Sequence, residues 1–208
     1  MQRAVGPAAR STLTPARVLE AAYTVIDAEG PEALTMRRLG AELGVVAMAI
    51  YNHFPDRDAL LDAIAEHALG AIASRPRRGG WRTRLNAMIR DLRDLAVAHP
   101  HIYAMALCRP SKPPSAMSLM FEALDALREA GLSQRAAVRW YHTFVILLQG
   151  FPSWQANLAR YKSISPADFK ARGLTPRQQS DLQSVHEVTP TSQFDQSIKL
   201  LLDALDRS

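Results

Sequence analysis

Apolar residues recur three and four positions apart along most of this chain, and no strand pattern or internal repeat interrupts them, so the spacing predicts helices throughout. Val18, Ala22, Val25 and Ile26 form the inner face of a first helix, opened by Thr14 as cap and Pro15 in its first turn and closed by Gly30 and Pro31. Leu39 and Leu43 give a short second helix its stripe, with Thr35 placed to cap it. Gly44 then ends it, because glycine takes the left-handed conformation without a Cβ clash. A third short helix starts near Ala47 and ends by Phe54, since Pro55 disfavours helical geometry in the residue before it. Asp56 caps a fourth from Arg57 to Ala73, with Leu60, Leu61, Ile64 and Ala68 inward.

The next segment, residues 74–80 (SRPRRGG), predicts a hinge whose arginines are solvated. Helical spacing resumes over residues 81–98 through Leu85, Met88, Leu92 and Leu95, breaks at His99-Pro100, and continues in a shorter segment to Cys108. Residues 109–114 read as a loop and 116–130 as a helix closed by Gly131. Ser133 caps a long helix with Val138, Tyr141, Phe144, Val145, Leu148 and Phe151 on its apolar positions, and Pro152 kinks or ends it. The polar stretch 162–190 predicts irregular structure with short helical turns after Ser165 and Thr175. Ser192 caps a last helix carrying Phe194, Ile198, Leu201 and Leu205, and the chain up to Arg10 reads as a flexible arm.

Composition narrows the class. With 208 residues, 48% hydrophobic and 22% charged, the chain has the make-up of a soluble globular protein. One cysteine, no signal-like stretch in the first ten residues and no apolar run near the ~20 needed to span a bilayer lead to a cytoplasmic expectation with no membrane partner. The pI of about 9.7 suggests a nucleic-acid footprint, yet residues 1–71 hold six arginines and nine acids, a balance of 6 − 9 = −3. Geometry must then carry any attraction, with Arg17, Arg37, Arg38 and Arg57 on one face and Glu20, Asp27, Asp62 and Glu66 elsewhere. No phosphate loop, no nucleophile beside a base and no paired metal-ligand spacing occurs; Cys108 has no activating neighbour, and His99, His101 and His142 are scattered. No catalytic residue, metal or cofactor is therefore expected, and the chain does not read as an enzyme.

The order of helix, glycine turn and helix in residues 34–61, LTMRRLGAELGVVAMAIYNHFPDRDALL, and above all AIYNHFPDRDALLDAI from Ala49 onward, resembles the helix-turn-helix of the tetracycline-repressor (TetR) family of transcriptional regulators. The resemblance implies an all-α fold: an N-terminal three-helix helix-turn-helix DNA-binding domain over 11–73 and a C-terminal helical ligand-binding and dimerisation domain over 81–208. It implies that the short helix enters the major groove, that Tyr51 contacts phosphate, and that Arg57, where the family carries lysine, holds the backbone. Ala47, Met48 and Ala49, where polar groups are common in the family, can meet thymine methyls. Asn52 suits an adenine edge, Arg37 guanine or phosphate, His53 phosphate, and an amide at the helix start near Thr35 can grip phosphate too.

Beyond the hinge, the aromatics and methionines, among them Trp81, Tyr103, Met117, Phe121 and Trp154, are core by default. The resemblance implies that helices there enclose a cavity for a small apolar effector, with Met88, Leu92, Ile102, Met105, Met120, Trp140 and Phe144 as candidate lining. Met105 stands where tetracycline-binding members carry a magnesium-binding histidine, which disfavours a magnesium-tetracycline effector. A homodimer through residues 133–151 and 192–205 would set two reading helices ~34–36 Å or more apart on a palindromic double-stranded DNA operator. The expected function is a ligand-responsive repressor. The rival expectation is an all-α small-molecule-binding protein with a degenerate helix-turn-helix; an architectural DNA protein would need a more basic reader.

Overall fold

A computed structural model describes residues 12–109, 113–161 and 173–206. Among these the chain forms ten α-helices, one short 3₁₀ turn (Pro31–Ala33) and no strand. The helices are α1 (Pro15–Glu29), α2 (Met36–Leu43), α3 (Ala47–Tyr51), α4 (Arg57–Ala73), α5 (Trp81–Ala98), α6 (Pro100–Cys108), α7 (Pro114–Glu129), α8 (Gln134–Tyr161), α9 (Pro176–Glu187) and α10 (Pro190–Leu205). No described helix is long and apolar enough to cross a membrane.

The local signals at the amino end act as the residues dictate. The side chains of Thr14, Thr35 and Asp56 accept hydrogen bonds from the amides of Arg17 (3.3 Å), Arg38 (3.1 Å) and Ala59 (2.7 Å), satisfying one orphan donor at each helix start. Gly44 is left-handed at φ 68°, ψ 31°. Val18, Ala22, Val25 and Ile26 are all buried.

Farther along, several expectations are corrected. The last helix starts at Pro190, capped by Thr189 rather than Ser192, and Leu202 takes the buried position in place of Leu201, which is half-buried. The stretch read as irregular contains the regular helix α9, nucleated by a capping box in which Thr175 and Gln178 satisfy each other's backbone amides. The arm up to Arg10, the turn after Ser165 and part of the 109–114 loop lie outside the described residues. Met117, Phe121 and Trp154, core by default on composition, are exposed.

α8 is not ended by Pro152 and runs through it to Tyr161. A proline inside a helix has no amide to give the carbonyl four residues back, here that of Leu148. Tyr103 of α6 fills the vacancy: its buried hydroxyl donates to Leu148 O at 2.8 Å. Burial also raises the pKa of that phenol, so it stays a donor at any ordinary pH. Tyr103→Phe removes only the hydroxyl and strands a buried carbonyl, and is expected to lower stability by about 1–3 kcal/mol in denaturant melts. The same change made in a Pro152→Ala background, where the helix supplies its own donor, should cost clearly less; equal losses in both backgrounds would refute the pairing.

α4 joins the two halves. Leu60, Leu61, Ile64, Ala65, Ala68, Leu69 and Ile72 are buried on it, too many for one apolar stripe. It packs on α1 from one side and on α6 and α7 from the other, so the three-helix unit and the following bundle share this helix as a common wall.

Candidate nucleic-acid interface and effector cavity

α3 has five residues, too few to stand alone, and is held by packing. Ile50 anchors it, fully buried, while Val46 (72% exposed), Met48 (69%) and Tyr51 (42%) face outward. Asn52, Thr35 and Arg37 are also exposed, and Ala47, Ala49 and His53 are half-buried. α2 and α3 are in contact, and each exposes side chains to solvent. Val46 escapes sequence reading as a surface group because its position reads as a helix cap; it makes no capping bond and its side chain stands free.

Gly40 sets how close α2 and α3 come. A Cβ there would lie 2.8 Å from the carbonyl oxygen of Val45 and 3.2 Å from the amide nitrogen of Ala47, both backbone atoms. Gly44 announces itself in the sequence and Gly40 does not, since a glycine inside a helical pattern carries no local signal of what it faces.

The arginines divide in a way the sequence does not reveal. Arg38 is tied to Glu29 (2.5 Å) and Glu42 (3.2 Å), binding α2 to the end of α1 and holding the Glu29 carboxyl below its usual pKa through that hydrogen bond. Arg57, expected to hold the DNA backbone, is half-buried, and its Nε donates to Leu34 O at 2.9 Å and its Nη2 to Pro31 O at 2.5 Å. Its guanidinium thereby fixes the start of α4 against the segment before α2. Arg17 bonds Thr12 O. Arg37 makes no ion pair among the described residues and is the exposed cation beside α3.

Asp27, Asp58, Asp62 and Glu66 turn toward the bundle. Asp27 accepts from His99 Nδ1 at 2.8 Å through its carboxylate and from His101 Nδ1 at 3.1 Å through its carbonyl. Tyr23 meets the rings of His67 and His99 edge-on, and burial followed by the charge of Asp27 raises its phenol pKa. Asp62 and Asp58 pair with Arg109 at the end of α6 (2.5 and 3.4 Å). Glu66 accepts from the amide (3.0 Å) and the hydroxyl (2.5 Å) of Ser115, the buried polar residue in the first turn of α7.

Residues 74–80 hold the last link: Arg75 and Arg78 are exposed, as expected of solvated arginines, and Arg77 is not. Arg77 has a side chain only 4% exposed and pairs with Asp91 of α5 (2.9 Å) and Glu122 of α7 (3.0 Å), while donating to Ile72 O of α4 (3.0 Å). Arg75 also reaches Asp91, at 2.5 Å. This segment is a three-way clasp.

α4 to α8 line a cavity of about 150 Å³ that opens toward solvent. Of the expected lining residues, Met88, Leu92, Met120 and Phe144 face it. Ile102 and Met105 are buried elsewhere on α6, and Trp140 is half-buried off the cavity, in ring contact with Phe144. Unforeseen are Leu69, contributed by α4 itself, and two polar groups on α8, Tyr141 and Gln149. Burial raises the Tyr141 phenol pKa. No trio of side chains suited to a metal ion occurs among the described residues.

A second, larger hollow of about 690 Å³ lies among α8, α9 and α10, lined by Phe151, Trp154, Val185, Val188 and Phe194 among others. Ile146 of its lining (70%) and Leu200 of α10 (57%) are exposed.

Residues 18–64 match the family model for bacterial regulatory proteins of the tetR family, and residues 74–204 match the model for the tetracyclin repressor-like C-terminal domain. The HTH-type transcriptional repressor DrrR1 of Streptomyces coeruleorubidus is 36% identical over 149 residues, which are 68% of this chain and 52% of DrrR1, so the chain spans about half of that relative. The tetracycline repressor protein class A from transposon 1721 of Escherichia coli is 30% identical over 206 residues, covering 93% of this chain and 90% of the relative. The crystal structure of a possible TetR family transcriptional regulator from Streptomyces coelicolor A3(2) superposes with a TM-score of 0.72 over 92% of this chain and 98% of the other, at 24% identity.

Proposed function

The chain belongs to the tetR family of bacterial regulatory proteins, and from that membership we propose that it is a ligand-responsive transcriptional repressor, released from a palindromic DNA operator by a small molecule. The names of DrrR1 and the class A tetracycline repressor support repression as the sense of the control. The observation that carries the reading is α3 itself: a helix too short to be stable alone, pinned by Ile50 so that Val46, Met48 and Tyr51 are displayed and not buried.

In this reading residues 11–73 form the reader and 81–208 the sensor. Met48, Ala47, Ala49 and Val46 offer methyl and thioether surface to thymine methyls, and Asn52 an amide to a base edge. Thr35, Arg37, Tyr51 and His53 hold phosphate. Arg57 acts as a positioning residue, bracing α4 under the reader through Leu34 O and Pro31 O. Two copies associate through α8 and α10, whose exposed Ile146 and Leu200 and neighbouring hollow are the apolar surface that pairing would cover.

The switch is a shift of population. Leu69 places α4 in the cavity wall, and Glu66 and Arg77 fasten α4 and its sequel to α7, so a ligand that moves α7 moves the reader's last helix with it. A coupling of ~1–3 kcal/mol would change operator affinity ~5–150-fold.

Gel retardation on the DNA upstream of the protein's own gene tests the assignment. Arg37→Ala should weaken binding on all sequences alike and reduce the salt slope by about 1, as loss of one phosphate contact does. Tyr51→Phe should weaken it by about threefold to tenfold through one lost hydrogen bond. If wild type and both variants migrate alike at every salt concentration, the DNA-binding assignment is removed.

A further inference from the structure

The cavity between α4 and α8 has a chemistry narrow enough to name the class of molecule it takes. Its wall is built from apolar side chains such as Leu85, Met88, Leu119, Phe144 and Leu148. No Lys, Arg, Asp, Glu or His lines it, so an ionised ligand would lose its hydration with no opposite charge in return. The volume, about 150 Å³, matches that of an apolar cavity that stays dry and accepts benzene.

Polarity enters from one helix only. On α8, Tyr141 and Gln149 face the cavity eight residues apart, about 12 Å along the axis at 1.5 Å per residue. Gln149 is exposed and stands on the solvent side; Tyr141 is half-buried. The contrast with Tyr103 is informative. Tyr103 spends its hydroxyl on Leu148 O, whereas the Tyr141 hydroxyl makes no hydrogen bond to any described residue. Burial raises its pKa, so at neutral pH it is a protonated donor. Met88 and Met120 add thioethers that favour contact with an aromatic edge.

We propose that the effector is an uncharged molecule of about one substituted aromatic ring, whose ring lies among the apolar side chains and whose single oxygen accepts a hydrogen bond from the Tyr141 hydroxyl. This rests on the reading of the cavity as the effector site and specifies what that site selects.

The test is calorimetric titration of the full-length protein, without DNA, with three probes of like shape: 4-ethylphenol, 4-ethyltoluene and 4-ethylbenzoate. The phenol should bind about threefold to tenfold tighter than the toluene, the worth of one neutral hydrogen bond, and the benzoate should not bind. Tyr141→Phe should erase the preference for the phenol while leaving affinity for 4-ethyltoluene within about twofold. Tight benzoate binding, a preference that survives Tyr141→Phe, or no heat from either neutral probe would each overturn the proposal. A Leu119→Trp variant, which fills the cavity, should lose both neutral probes; binding that persists there places them elsewhere and also overturns it. Because titration is read without DNA, failure of the repressor reading is seen separately: a chain that binds 4-ethylphenol yet never retards DNA loses the repressor assignment and keeps the ligand class, whereas release from DNA only by ionised or much larger molecules does the reverse.

Discussion

Gly40→Ala is expected to weaken operator binding about tenfold or more and to lower stability by about 1–3 kcal/mol. The added methyl would sit 2.8 Å from Val45 O and 3.2 Å from Ala47 N. Neither can swing aside as a side-chain tip would, because both belong to the turn that carries the chain into α3. Relief must come from separating α2 and α3, which displaces Met48 and Tyr51 relative to Thr35 and Arg37 and spoils one surface made from two helices. Gly40→Val should be worse. A control is Gly44→Asn: Gly44 is left-handed, a Cβ placed on it would meet no atom within 4 Å, and asparagine tolerates that conformation, so the operator complex should survive. Retardation and thermal unfolding of the three variants check this, and a Gly40→Ala protein that matches wild type in both would refute the close-approach account.

The second large effect is expected at Arg77. Arg77→Met removes the cation from between Asp91 and Glu122 and the donor from Ile72 O, leaving two carboxylates facing the space its guanidinium filled. Removing one partner of a buried pair costs about 3–5 kcal/mol; Glu122 keeps access to solvent and Asp91 keeps Arg75, which puts the expected loss near the lower figure, about 3 kcal/mol. Replacing all three residues by apolar ones, Arg77→Met with Asp91→Leu and Glu122→Leu, should recover most of it, since the penalty lies in stranded charge. Denaturant midpoints for the single and triple variants decide the matter: a single variant as stable as wild type, or a triple variant less stable than the single, would show that the ion pairs do not hold the clasp.

The contrast between Gly44 and Arg77 shows what is legible in the chain without its structure. Thr14, Thr35, Gly44 and Asp56 act on neighbours within four residues, so their side chains announce helix ends directly. Arg57 and Arg77 act over 26 and 45 residues, and nothing near them in the chain says that one will brace backbone carbonyls and the other sit almost wholly buried. The candidate cavity divides by the same rule. Met88, Leu92, Met120 and Phe144 follow from apolar spacing on their own helices, but which face of α6 meets the cavity depends on how it crosses α5 and α8, and Ile102 and Met105 fall on the wrong one. Leu69 is hidden for a further reason: it belongs to a helix assigned to the reader and serves the sensor as well.

The bond from Tyr103 to Leu148 O has a consequence for descent. A proline at position 152 is tolerable in this helix while a hydroxyl from α6 stands in for its missing amide, and the hydroxyl has its task only while the proline remains. The two sites are therefore a single unit of inheritance: homologous chains that keep proline at the first should keep tyrosine at the second, and lineages that lose the proline should be free to drift to phenylalanine.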